Sequence, residues 1–146
     1  MALSDRIDPV IIGHILAQHR ELHGQIVAAR AAFAVGPDAA REALATLRSH
    51  LAAHFVQEER GGFLEESIAR IPRLSTAAAG VLDEHPRLLT ELDGLIDRLA
   101  VRDISLASWA RAGRDFDHFS ATMTAHERSE NAVVQEGYNE DLGLLD

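Results

Sequence analysis

The chain contains no cysteine among its 146 residues. Disulfides, thiolate nucleophiles, zinc–thiolate sites and iron–sulfur clusters are therefore excluded. Lysine is absent too: all 14 basic residues are arginine, which we read as genome composition rather than function. Set against 23 acidic residues, they leave a formal net charge of -9. Nucleic acid demands a basic face, and so does an anionic membrane surface; both are disfavoured as partners. No apolar run approaches the ~20 residues that span a bilayer. Met1 to Val10 lacks the basic-then-apolar pattern of a signal peptide, so a cytoplasmic location is expected. Proline is scarce, at 4 residues, and aromatics make up only 5%.

What remains is dominated by Ala, Leu, Glu and Arg, the residues that lose least on entering a helix. The length suits one domain, expected over residues 1–146. Asp8-Pro9 has the form of a helix start, an N-cap followed by proline at the first helical position. Residues at helical spacing then run Ile12, Leu16, His19, His23, Ile26, Arg30 and Phe33, all but Arg30 apolar or histidine, up to a stop at Gly36-Pro37. A second helix carries Ala40, Leu44, Leu47, Leu51, His54, Phe55 and Glu58 on one face and ends at Gly61-Gly62. Phe63 to Ile71 reads as a short helix or turn closed by Pro72.

Ser75 is the expected cap of a third helix, with a stripe of Leu82, His85, Leu88, Leu89, Leu92, Leu95, Ile96 and Leu99. Pro86 inside it is expected to kink or loosen the helix. Asp103 or Ser105 caps a fourth, whose stripe is Leu106, Trp109, Phe116, Phe119, Met123, His126, Glu130 and Val134. Gly137 ends it, leaving residues 137–146 as an acidic tail. No strand-like alternation interrupts the series. The fold class expected is all-α: an up-down-up-down antiparallel four-helix bundle over roughly residues 8–136.

Eight histidines among so few aromatics invite a search for ligands. His54-Phe-Val-Gln-Glu58 and His126-Glu-Arg-Ser-Glu130 are both His-x-x-x-Glu. On a helix, residues four apart share a face, so each segment presents an imidazole beside a carboxylate. His19 and His85 occupy core positions on the other two helices. Register is testable, because residues level with each other in an antiparallel hairpin are equidistant from its turn. The point midway between 19 and 54 falls between Gly36 and Pro37. Midway between 85 and 126 lies between Ser105 and Leu106, and midway between 58 and 85 lies between Ile71 and Pro72. Gly, Pro and cap residues had placed turns at all three. The hairpins thus bring the six residues to one level. Imidazole with carboxylate suits iron or zinc better than magnesium or calcium. Carboxylates can bridge two cations, so four imidazoles and two carboxylates fit two ions; without a cation their burial is costly.

At these residues the sequence resembles the hemerythrin-like, His-His-Glu cation-binding family. The resemblance is carried by Gln18-His19-Arg20, His54 to Glu59, Glu84-His85-Pro86 and His126 to Glu130, and spans roughly residues 8 to 136. It implies a hemerythrin-like bundle holding two iron ions, oxo- or hydroxo-bridged, with His19, His54, Glu58, His85, His126 and Glu130 as ligands and Glu58 and Glu130 as bridges. It also implies dioxygen, peroxide or nitric oxide as the small ligand. One departure matters. Oxygen-carrying members have His-x-x-x-His on the third helix, and here the second position is Leu89. Counting octahedral positions leaves two open, where the carriers' fifth histidine leaves one. That argues against simple reversible carriage and towards redox chemistry, sensing or stress defence.

His23 and His50 share the midpoint of His19 and His54 and are expected one layer from the centre, either as a replacement fifth ligand or as groups hydrogen-bonded behind the ligands. Glu59 and Glu127 adjoin ligands but point about 100° away, so solvated faces are expected for them. His14 and His118 are expected to be structural or solvated, His118 opposite Asp93. Four functions stay open: a sensor of dioxygen or nitric oxide, a catalase-like or oxidase enzyme, an iron store or iron-centre repair protein, and a mononuclear or zinc structural site. A protein partner is not indicated.

Overall fold

The computed structural model describes residues 9–60 and 72–143. Its elements are α1 (Pro9–Phe33), α2 (Pro37–Arg60), a single 3-10 turn (Pro72–Leu74), α3 (Ser75–Leu99) and α4 (Leu106–Gly143). Helices adjacent in sequence pack on each other and α4 returns against α1, which closes the up-down-up-down bundle. The Asp8 cap and the helix or turn expected over Phe63 to Ile71 lie outside the described residues.

The turns follow local chemistry. After α1, Val35 and Gly36 donate backbone N–H groups to the Ala32 carbonyl at 3.0 and 3.2 Å. Pro37 then opens α2, where a missing N–H has no partner to lose, and the Gly36 carbonyl accepts from Ala40 N at 3.0 Å. At the start of α4, Ser105 Oγ accepts from Ser108 N at 3.1 Å and its carbonyl accepts from Trp109 N at 2.9 Å. Ser105 is therefore the N-cap, and Asp103 serves the turn instead, in the left-handed region at φ 57°. Ser105→Ala should lower the unfolding free energy by about 1 kcal/mol, measured by urea denaturation, with the spectroscopy of any bound metal unchanged.

Three sequence expectations are corrected. Ser75 is not a cap: Leu74, closing the 3-10 turn, holds that position without a side-chain hydrogen bond. α4 does not stop at Gly137 but runs to Gly143, so residues 137–143 belong to the helix rather than to a tail. A glycine costs a helix interior only about 1 kcal/mol, Gly137 is buried, and no proline follows to enforce a stop. Leu106 is 85% exposed, because the first residue of α4 lies beyond the last core layer.

Inside, the buried positions advance by alternating steps of four and three. They are 15, 19, 22, 29 and 33 on α1, with half-buried Ile26 completing the series, and 40, 44, 47, 51, 54 and 58 on α2, where Phe55 is buried beside the series as well. On α3 they are 78, 81, 85, 88, 92, 95 and 99, and on α4 they include 112, 116, 119, 123, 126, 130 and 133. This is the seam of nearly parallel packed helices. The larger apolar cluster occupies the end near the α1–α2 and α3–α4 turns, with Phe33 stacked between Trp109 and Phe116 at centroid distances of 5.2 and 5.3 Å. A smaller cluster of Ile15, Ala78, Val81, Val133 and Val134 closes the other end. Between the two lies a single polar layer.

Candidate metal centre

The only polar or charged residues fully buried among those described are His19, His54, Glu58, His85, His126 and Glu130, none more than 5% exposed. All four helices contribute. On α2 and α4 the four-residue step places His54 with Glu58 and His126 with Glu130. On α1 and α3 a single inward position holds His19 and His85. Their inward atoms converge on the two carboxylates. His19 Nε2 lies 2.8 Å from Glu130 Oε1, His85 Nε2 lies 3.4 Å from Glu58 Oε2, and His126 Nε2 lies 3.4 Å from Glu130 Oε2. His54 Nε2 contacts Glu58 Oε1 and stands 4.0 Å from Glu130 Oε1. Two groups of four emerge, His19, His54, Glu58, Glu130 and Glu58, His85, His126, Glu130, each with its ligand atoms within 4.8 Å of one another. Both groups contain Glu58 and Glu130.

The imidazoles are held from behind. Nδ1 of His54 donates to Gln18 Oε1 at 2.8 Å, and Gln18 Nε2 donates onward to Gln57 Oε1 at 2.9 Å. Nδ1 of His85 donates to Glu59 Oε1 at 3.0 Å and Nδ1 of His19 to Asn131 Oδ1 at 3.1 Å. Nδ1 of His126 faces Glu84 Oε2 at 3.6 Å. A donor bond at Nδ1 leaves the Nε2 lone pair directed into the bundle, which is the tautomer a metal requires. Phe55 fixes one ring further, stacked on His85 with centroids 3.7 Å apart and planes 6° from parallel.

The donor set fits a cation. Nε2 of His54, His85 and His126, both oxygens of Glu58 and Oε2 of Glu130 are buried without a hydrogen-bond partner. Each such atom costs about 1–3 kcal/mol if nothing satisfies it, and all six face the same interior point. No such concentration occurs elsewhere among the described residues. The sequence comparison agrees with this geometry, since the model of the hemerythrin HHE cation binding domain matches residues 10–136. The chain belongs to the hemerythrin HHE family. Searches of curated proteins and of solved structures give no match. Among the described residues of this hemerythrin-like domain, no helix is long and apolar enough to cross a membrane.

Charge within the hemerythrin-like centre follows from the contacts. Burial pulls the His19 imidazole down, but its hydrogen bond to Glu130 and the surrounding carboxylates outweigh that and raise it above 6.5. Burial likewise opposes His85, which Glu58 and Glu59 raise. Burial pushes Glu130 up, yet its bonds with His126 and His19 hold its carboxyl far below the ordinary 4.5. The consequences for metal-free protein have definite signs. The depressed carboxyl contributes stability above pH 4.5 that is lost as pH falls through its folded value. The raised imidazoles contribute stability present below pH 6.5 and lost as pH rises through theirs. Metal-free protein should therefore be most stable between pH 4.5 and 6.5. Metal-loaded protein should gain on it above that window, because cations need neutral imidazoles. Thermal unfolding of both forms across the pH range checks this, and parallel profiles contradict it.

His23 and His50 are exposed and stand outside both four-residue groups. His50 Nδ1 is instead met by Gln25 Nε2. The stepping of the seam is the reason: the position after His19 is three residues on, at Leu22, and the one before His54 is three back, at Leu51. Glu59 corrects the expectation of a purely solvated residue, since one face of its carboxylate accepts from His85. Glu127 is half-buried with one oxygen lacking a partner, and burial raises its carboxyl. His14 and His118 are exposed, as expected, but Asp93 pairs with Arg48 at 3.0 Å rather than with His118. Sequence reasoning missed Gln18, Glu59, Glu84 and Asn131. The signal was adjacency, for each is the chain neighbour of a ligand and one residue's turn directs it across to the next helix.

Proposed function

We infer that this domain is a non-haem di-iron protein that takes up or reacts with dioxygen, peroxide or nitric oxide. One observation carries the reading. The two groups of possible ligands share Glu58 and Glu130 and differ only in their histidines. His19 and His54 would hold one ion, His85 and His126 the other, and the shared carboxylates would bridge them and offset their charge. When bound, the iron pair supplies a redox-active site for small oxygen or nitrogen ligands. The chain supplies the rest. The apolar clusters above and below keep bulk water from the layer. Gln18, Glu59 and Asn131 orient the imidazoles of His54, His85 and His19 through hydrogen bonds, and Glu84 faces His126. Leu89, half-buried against the larger cluster, stands at the sequence position where the oxygen carriers resembled here place a further histidine, which would leave the centre open to exogenous ligand.

That opening favours redox sensing or stress defence, with peroxide decomposition as the enzymatic form. Stopped-flow absorption after mixing reduced, iron-loaded protein with dioxygen or nitric oxide should show rapid spectral change saturating at one ligand per iron pair. Oxygen evolution from peroxide above an equal concentration of free iron would assign the enzymatic form. Protein that carries iron yet responds to none of the three would overturn the functional reading.

A further inference from the structure

The site contains an approximate internal twofold. α1 and α2 supply Gln18-His19 and His54-x-x-x-Glu58-Glu59, while α3 and α4 supply Glu84-His85 and His126-x-x-x-Glu130-Asn131. Exchanging the first helix pair with the second maps His19 onto His85, His54 onto His126 and Glu58 onto Glu130. The outward contacts obey the same exchange. His19 turns its Nδ1 to Asn131, and its counterpart His85 turns Nδ1 to Glu59. His54 turns its Nδ1 to Gln18, and its counterpart His126 faces Glu84. Position is conserved around the ring of four helices but charge is not: neutral amides stand behind one imidazole pair and carboxylates behind the other.

A carboxylate accepting an imidazole N–H draws the proton and enriches the opposite nitrogen, strengthening it as a donor to a cation; an amide does so weakly. It also adds a negative charge on the far side of the ring. The side chains of Glu59 and Glu84 are 45% and 30% exposed, so water screens most of that second effect. The hydrogen bond from His85 to Glu59 at 3.0 Å carries most of the difference, while Glu84, 3.6 Å from His126 Nδ1, is the carboxylate nearest to a buried nitrogen that has no hydrogen-bond partner. A groove of about 310 Å³ between α1 and α2, lined by Gln18, Ala53, His54 and Gln57 among others, reaches the amide-backed half.

We propose that the two ion positions are inequivalent. The ion between His85 and His126 is the tightly held one, secured by Glu59 and Glu84 as positioning residues, and the ion between His19 and His54 is exchangeable. This rests on the two-iron reading above. The test is to saturate the protein with ferrous iron without oxygen, add excess ferrous chelator and follow the coloured chelate. Release should occur in two phases of equal amplitude, their rates about 10–100-fold apart. Glu59→Gln with Glu84→Gln, which keeps shape and an acceptor oxygen, should speed the slow phase until one phase releases both irons. The reciprocal pair Gln18→Glu with Asn131→Asp should slow the fast phase by a similar factor, and it tests the same inequivalence from the other side if the first variant proves unstable. Two irons leaving the natural protein in one phase, or two phases that neither exchange of charge alters, would overturn the inequivalence alone. Saturation at one iron per chain would instead overturn the two-iron reading on which it stands.

Discussion

Glu130→Ala should strip the protein of most of its metal and lower its unfolding free energy by about 3–5 kcal/mol, the range for removing one partner of a buried ionic pair. Glu130 is 1% exposed and meets His19 at 2.8 Å and His126 at 3.4 Å, and both groups of possible ligands contain it. Its removal leaves the buried Nε2 of His19 without its carboxylate partner and would take from both proposed ions a shared ligand. In a domain of this size the melting temperature should fall by about 10–15 °C. Glu130→Gln separates the two effects: with volume preserved the bundle should fold, while iron content drops as far as in the alanine variant. Iron assay and thermal unfolding on the same samples decide the point. A Glu130→Gln variant that retains full metal would remove Glu130 from the bridge.

Chelation of the unmodified protein should have an effect of comparable size. An ion that binds only the folded chain stabilises it by about 4 kcal/mol at a concentration a thousandfold above its dissociation constant. Metal-free protein should therefore melt about 10 °C or more below the loaded form. It should remain helical, because apart from Phe55, which stacks on His85, the two apolar clusters are built from apolar side chains packed on one another. The expected form is a folded but looser bundle whose hydrogen exchange rises first around residues 54, 85 and 126. Equal melting temperatures with and without chelator would mean that the buried polar atoms are satisfied by something other than a cation.

The fold was legible because helix punctuation and apolar spacing agreed. Gly36-Pro37 and Ser105 sit at turns, and the register drawn from those turns placed His19, His54, His85 and His126 at one height. The polar layer was legible because polar residues stood where the apolar stripe required leucine. His23 and His50 were harder to place, since a four-residue step from His19 or His54 is as plausible in sequence as a three-residue one. Only the alternation along a whole helix seam, which fixes Leu22 and Leu51 inward, resolves it. Glu59 and Glu84 eluded the reading for another reason. Whether a residue 100° from a ligand meets water or the neighbouring helix depends on interhelical distance, which no single helix encodes. The passage of α4 through Gly137 shows the same limit of local signals: a glycine permits a stop without imposing one.

Whether the six buried side chains enclose a pair of irons is decided by metal quantification on aerobically purified protein, together with its absorption spectrum. Two irons per chain are expected, with near-ultraviolet charge-transfer absorption that disappears in Glu130→Gln. A single zinc per chain, or a fully stable protein that binds no metal when iron is supplied, would contradict it.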